Sequence, residues 1–177
     1  MKISNSVSAI PSIRHTVEED WPQILGFARK VIASGESYAW CNDLSDEILK
    51  GMWLLNTPAE VFSATLKNSE AASEDIIGSG VLKPNQLGRG NHVANFYIMV
   101  DPAFKGRKIG TRLANFMIDR AVEIGYSAIQ LNAVVATNRR AVRLWTGLGF
   151  DVIGTVPAGF RHPVHGLTDL LIMHRFL

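Results

Sequence analysis

One stretch constrains this chain more than any other. The apolar run His92–Val100 leads into Asp101-Pro102-Ala103-Phe104-Lys105-Gly106-Arg107-Lys108, and then into a stripe at Ile109, Leu113, Phe116, Met117, Ala121 and Ile124. The run reads as a strand covered on both faces. The stripe recurs at helical spacing, and Gly125 ends it. Ala128–Val135 follows as a second buried strand. Strand, helix and strand in this order form a parallel pair with a right-handed crossover. The chain must therefore build a sheet with helices packed against it.

The flanking segments extend that sheet. Ile13–His15 reads as a strand. Thr16 is placed to cap a helix whose apolar positions are Trp21, Ile24, Leu25, Ala28 and Ile32, ended by Gly35. Ser37–Trp40 is an aromatic loop. Ser45 caps a second helix to about Leu55, stopped before Pro58. Val61–Leu66 and Ile76–Leu82 form a hairpin around an exposed loop, Asn68–Asp75. Asn85–Asn91 is another loop. Asn138–Leu148 is a helix closed by Gly149, and Phe150–Val156 and Leu167–Leu177 are the last strands. The order β-α-α-β-β-β-α-β-α-β-β predicts an α/β (α+β mixed) fold. It has one central, mostly antiparallel sheet with helices on both faces, in a single domain over 1–177.

Composition narrows the function. With 47% apolar and 19% charged residues, the 177-residue chain is globular rather than disordered. One cysteine, Cys41, excludes an internal disulfide and suits a reducing, cytoplasmic setting. No apolar stretch approaches a membrane span, and residues 1–13 do not resemble a signal peptide. Charge is uneven: residues 1–100 are net −3 and residues 101–177 net +5. An anionic ligand belongs with the second part. Nucleic acid is not expected, since no recognised motif accompanies the overall charge of +2. His162 and His165 have no further ligands nearby, so no metal site is expected.

The basic turn explains where the anion goes. A helix starts with free backbone N–H groups and the positive end of its dipole. Gly106 and Gly110 allow close approach, and Lys105, Arg107, Lys108 and Arg112 surround the turn without an acid among them. These are the ingredients of a pyrophosphate site. Neither a P-loop nor a Rossmann fingerprint is present.

Lys105-Gly106-Arg107-Lys108-Ile109-Gly110 is similar to the coenzyme A signature of the GCN5-related N-acetyltransferase (GNAT) superfamily, [RQ]-x-x-G-x-[GA]. Lys105 replaces the usual Arg or Gln, and Lys108 the first Gly. Asn138-Arg139-Arg140-Ala141-Val142-Arg143-Leu144-Trp145-Thr146-Gly147-Leu148-Gly149-Phe150 resembles the second landmark, N-x-x-A-x-x-L-Y-x-x-x-G-F, with Trp145 where Tyr is usual. The resemblance implies acetyl-CoA as cosubstrate and transfer of its acetyl group to an amine. It assigns the coenzyme to Met99, Val100, Lys105, Gly106, Arg107, Lys108, Ile109, Gly110, Thr111, Asn138 and Trp145. The backbone of Met99 and Val100 would supply oxyanion donors. A homodimer is common in the superfamily.

Asn95 and Asn132 lie in the middle of the two central strands, where a buried amide needs partners. A water or a bulge carbonyl would satisfy them, and so would a substrate. Lys83-Pro84-Asn85, Leu131-Asn132, Val135-Ala136-Thr137-Asn138 and Ile153-Gly154-Thr155-Val156-Pro157 resemble the fungal azetidine-2-carboxylate acetyltransferases. There, asparagines matching Asn95 and Asn132 hold a cyclic imino acid. The implied acceptor is a small amino or imino acid, with Tyr38 and Trp40 in the loop closing over it. An acyl-CoA-binding domain without activity, and a peptide N-acetyltransferase, are the alternatives.

The catalytic groups are less legible. Trp145 cannot serve as the acid that Tyr supplies, and packing against the pantetheine arm is its expected role. The strand His92–Val100 holds no carboxylate. His92 is a weak candidate for a base, Tyr97 and Tyr38 weaker ones, and a water-relayed proton is expected rather than a dedicated base.

Overall fold

The structure, a computed structural model, describes residues 10–68 and 73–177. In chain order the elements are β1 (Ser12–His15), α1 (Trp21–Ser34), α2 (Asp46–Trp53), β2 (Glu60–Asn68), β3 (Ser73–Pro84), β4 (Val93–Val100), α3 (Ile109–Glu123), β5 (Ala128–Val135), α4 (Arg139–Gly147), β6 (Asp151–His162) and β7 (Gly166–Phe176). The seven strands form one sheet in the order β1-β2-β3-β4-β5-β7-β6. Every neighbouring pair is antiparallel except β4–β5, the expected crossover.

Strand alternation sorts the core into two layers. Val61, Val81 and Met99 face α1 and α2, with Ile24, Phe27, Leu49 and Trp53 packed on them. Phe62, Leu82 and Phe96 face the other way, onto Ala114, Met117 and Ile118 of α3 and Trp145 of α4. Helices thus cover both faces. The central β3–β4 pair runs in unbroken register from Gly78↔Val100 to Pro84↔Ala94. Gly80 permits α3 to lie close: a Cβ there would sit 2.6 Å from Met117 Sδ.

Three expectations need correction. Thr16 does not cap α1. Its hydroxyl instead hydrogen-bonds Ser63 Oγ at 2.8 Å. The chain enters through a 3-10 turn, Glu18–Asp20, whose Val17 N–H donates to Asp20 Oδ2 at 3.0 Å. Asp20 outcompetes Thr16 because it is buried against Arg14, which donates to both its oxygens at 2.7 and 2.9 Å. Second, β6 runs on to His162 rather than ending at Val156. Pro157-Ala158-Gly159 reads as a strand breaker, but a shift in register between Val156 and Phe160 absorbs it, with Ala158 at φ 52°. Third, the loop assigned to Asn68–Asp75 is shorter: β2 reaches Asn68 and β3 begins at Ser73, and 69–72 lie outside the described residues.

Candidate active site

The ladder of the parallel pair β4–β5 has two rungs among the described residues, Val93↔Ala128 and Ala94↔Ile129. Beyond these the strands diverge, and a cleft of about 1290 Å³ opens between them. It is lined by Phe96–Val100 of β4, Leu131–Val135 of β5, the α1–α2 loop, the turn before α3, and α4. N–H and C=O of one residue point to the same edge of a strand and alternate along it. The Ile98 carbonyl accepts from Tyr38 Oη at 2.7 Å, so it faces away from β3. By the same alternation the Val100 N–H faces the cleft and the Met99 N–H faces β3. Met99 instead sends its side chain into the α1–α2 layer.

One end of the cleft is cationic. Lys108 occupies the N-cap position of α3 at φ 58°, ψ 20°, without a side-chain cap. Gly106 has φ 89°. Two left-handed residues ahead of a helix start without a side-chain cap are the backbone pattern from which an anion-binding nest is built. Lys105, Gly106, Lys108, Ile109, Gly110 and Thr111 all line the cleft here. Arg107 does not: its guanidinium lies 5.2 Å from the Phe104 ring centroid. Arg140 and Arg143 of α4 do line it. The sequence motif contained both, but only their helical placement beside the cleft marks them as site residues. Asn138 Oδ1 caps α4 through the Ala141 N–H at 3.0 Å, and its Nδ2 donates to Ser37 Oγ at 3.3 Å. It thereby ties α4 to the α1–α2 loop. Trp145 is 9% exposed, with its ring 5.5 Å from Phe96 and 5.9 Å from Phe150.

The other end is polar and aromatic. Asn95 is 7% exposed, and its Nδ2 donates to the Gln130 carbonyl at 2.7 Å. That carbonyl belongs to the first β5 residue beyond the last paired rung, so the side chain completes a bond the diverging strands cannot make. Asn132 is exposed, contrary to the expected buried position, because β5 has by then left β4. Its Nδ2 donates to Asn85 Oδ1 at 2.7 Å, and its Oδ1 accepts from Gln130 Nε2 at 2.9 Å. Trp40 packs its ring 4.9 Å from Tyr38 and 6.2 Å from Trp53, and Trp53 lies 5.2 Å from Tyr97. Lys83 and Phe160, which sequence reading did not single out as site residues, line the cleft as well.

The proposed bases fare differently. His92 is exposed, precedes β4, and lies outside the cleft lining. Its carbonyl receives the Ser127 N–H at 2.9 Å, at the closed end of the strand pair. Tyr97 lines the cleft, but its hydroxyl donates to the Met52 carbonyl at 2.9 Å. Burial pushes its phenol up to about 12. Burial, with Tyr97 nearby, raises Tyr38 further, against the hydrogen bond to Ile98. Neither phenol is a base at neutral pH. Among the described residues no group of three or more His, Cys, Asp or Glu side chains could hold a metal ion. No helix among them is long and apolar enough to cross a membrane.

Comparison with known proteins identifies the family and the fold. The acetyltransferase (GNAT) family model matches residues 28–150. N-acetyltransferase aca1 of Schizosaccharomyces pombe is 31% identical over 136 residues, which make up 74% of this chain and 65% of that protein. The chain thus spans just under two thirds of that relative's length. A GCN5-related N-acetyltransferase structure from Kribbella flavida is 42% identical with a TM-score of 0.88, covering 94% of this chain and 98% of that one. A phosphinothricin acetyltransferase from Sinorhizobium meliloti, solved with acetyl-CoA, shares the fold at 19% identity, with a TM-score of 0.80 and coverage of 94% and 88%. The family match over residues 28–150 and the likeness to the Kribbella protein along nearly its whole length agree that this chain belongs to the acetyltransferase (GNAT) family.

Proposed function

We propose that the protein is an acetyl-CoA-dependent N-acetyltransferase whose acceptor is the amine of a small amino or imino acid. The observation that carries this reading is the wedge between β4 and β5: one continuous cleft joins a cationic helix start to a polar, aromatic pocket. The cationic end fits a pyrophosphate. A Cβ on Gly110 would meet only Val100 Cγ2, at an ordinary 3.7 Å, so internal packing does not demand glycine there.

Acetyl-CoA supplies an acetyl thioester, from which the amine takes the acetyl group and the thiol departs. The chain's own part is to hold and orient. The nest at Gly106–Thr111, with Lys105 and Lys108, neutralises phosphate charge. The Val100 N–H faces the cleft and can receive negative charge developing on a carbonyl oxygen. Trp145 walls the cleft from α4. Asn95 and Asn132 present amides to the acceptor, and Tyr38 and Trp40 close over it. Holding both reactants in line supplies several kcal/mol of the barrier. Among the candidates for a base, His92 lies outside the cleft and Tyr38 and Tyr97 stay protonated at neutral pH, so water is the route we assign to the proton.

Thiol release from acetyl-CoA tests this, with L-azetidine-2-carboxylate, L-proline, phosphinothricin, polyamines and short peptides as acceptors. Turnover of the amino or imino acids alone supports the reading. Turnover of peptides alone assigns a protein N-terminus instead. Acetyl-CoA binding without any turnover supports a coenzyme-binding domain, the reading that Trp145 at the usual Tyr position favours. A homodimer is part of the proposal, tested by sedimentation.

A further inference from the structure

We propose that Lys83 is the carboxylate anchor of the acceptor pocket, and that with Asn95 it selects α-amino and α-imino acids over plain amines. The inference rests on the acetyltransferase reading for its chemistry, but the seat itself is defined by geometry. Lys83 and Asn95 are direct partners across the antiparallel β3–β4 pair. Directly opposed residues share a face, with Cβ atoms about 5 Å apart. Both side chains line the cleft.

The two offer opposite chemistry. The Lys83 ammonium lies 5.9 Å from the Tyr97 ring centroid, and no carboxylate among the described residues pairs with it. The acids that line the cleft, Glu36 and Asp101, sit on the α1–α2 loop and on the turn before α3. Asp101 already accepts from the Ala103 N–H at 2.9 Å. A half-buried cation over an aromatic ring, without a counter-charge, is a place for an anion.

Asn95 supplies the complement. Its Nδ2 must face the Gln130 carbonyl, since a carbonyl only accepts. The amide orientation is thereby determined, and Oδ1 is left over. No buried side-chain oxygen among the described residues lacks a partner, so Oδ1 opens onto the cleft. A free carbonyl-type oxygen receives an amine N–H. An α-amino acid carries its nitrogen and its carboxylate on one carbon, and a cross-strand pair on one face offers one group to each. Trp40 and Tyr97, their rings edge-on 6.3 Å apart, line the same cleft and supply aromatic wall for the substrate's carbon skeleton.

Binding is read by tryptophan fluorescence, with Trp40 and Trp145 both in the cleft wall. The probes are L-azetidine-2-carboxylate and L-proline, against azetidine and pyrrolidine, which keep the ring and lose the carboxylate. The acids should bind the native protein, and Lys83→Met should weaken them about tenfold or more. Lys83→Gln should do the same, and Lys83→Arg should retain part of the affinity. The plain rings should bind weakly and equally to all four proteins. Coenzyme affinity and melting temperature should not move. Equal affinity of the acids for the native protein and both neutral variants would overturn the anchor, as would absence of acid binding altogether. Thiol release separates the two ideas. Lys83-dependent binding of acids without thiol release refutes the transferase reading and keeps the anchor. Turnover of acids with KM unchanged in K83M keeps the reading and refutes the anchor.

Discussion

Replacing Lys108 with glycine should make the protein more stable. Lys108 sits at φ 58°, ψ 20°, ahead of the first turn of α3. An L-residue in the left-handed region suffers a clash between Cβ and the carbonyl that costs roughly 1–2 kcal/mol. Lysine has no short polar side chain to compensate. Glycine removes the clash but loosens the unfolded chain, which returns about 0.5–1 kcal/mol. The net gain is about 0.8 kcal/mol. For a chain of this size that moves the melting temperature up by about 2–3 °C. Lys108→Ala is the necessary control, since it removes the charge and keeps the Cβ. Melting by calorimetry without ligand should rank K108G above both K108A and the native protein, with the last two nearly equal. If K108A melts as high as K108G, charge and not backbone strain governs this turn, and the reasoning fails. The coenzyme should report the other half of the substitution: both variants lose one cation at the phosphate end, so both should bind acetyl-CoA with a shallower salt dependence.

Four further outcomes follow from the geometry. Burial alone would raise the Asp20 carboxyl, but hydrogen bonds from Arg14, the Val17 N–H and Ser63 hold it below the usual range. Hydrogen bonds from Arg120 likewise hold Glu60 down, against a smaller opposing effect of burial. Depressed carboxylates stabilise the fold above their unfolded values of about 4 and lose that contribution as pH falls below it. Asp20→Asn should therefore cost about 1–3 kcal/mol at neutral pH and flatten the acid limb of the stability curve, read by urea unfolding from pH 3 to 7. Gly80→Ala should cost about 1–3 kcal/mol by overpacking, and Met117→Ala in the same chain should recover part of it, as a double-mutant cycle shows. Tyr38→Phe should raise the acceptor KM several-fold by freeing the α1–α2 loop from Ile98, with little effect on coenzyme affinity. Because Tyr97 ionises only near about 12 and Tyr38 higher still, the rate should show no tyrosine limb between pH 6 and 10. An inflection in kcat there that disappears in Tyr97→Phe would contradict it.

Much of the fold was written in local patterns. The α3 stripe, the strand runs on either side of it and the turn between them are contiguous in sequence, so periodicity and glycine placement reveal them. The failures are where distant residues compete. Thr16 is a sound cap by composition, yet Ser63 claims its hydroxyl from another strand. Pro157-Ala158-Gly159 breaks a strand locally, and only pairing with β7 carries β6 through it. In the site, the basic turn and Asn138 lie inside motifs that carry a role, whereas Lys83-Pro84-Asn85 is a shared element with no role attached to its lysine. What marks it is the register that sets it opposite Asn95, and register is a property of two strands. The exposure of Asn132 was equally hidden, since nothing in Ala128–Val135 itself says that its neighbour turns away.

Edge to edge, the two rungs at Val93 and Ala94, the Ser127–His92 bond just before them and the Asn95 side chain just after them knit the sheet's halves. On one side stand β1–β4, on the other β5, β7 and β6, and the apolar layer that includes Phe96, Leu131 and Trp145 packs against both on the α3–α4 face. Above the rungs the halves stand apart like the jaws of a clothes-peg, with the spring at the closed end. A ligand lodged there takes the place of missing rungs, bonding to both jaws at once. Its binding should slow amide exchange along β4 and β5 together, including residues it never touches, because the two halves would then open only as one.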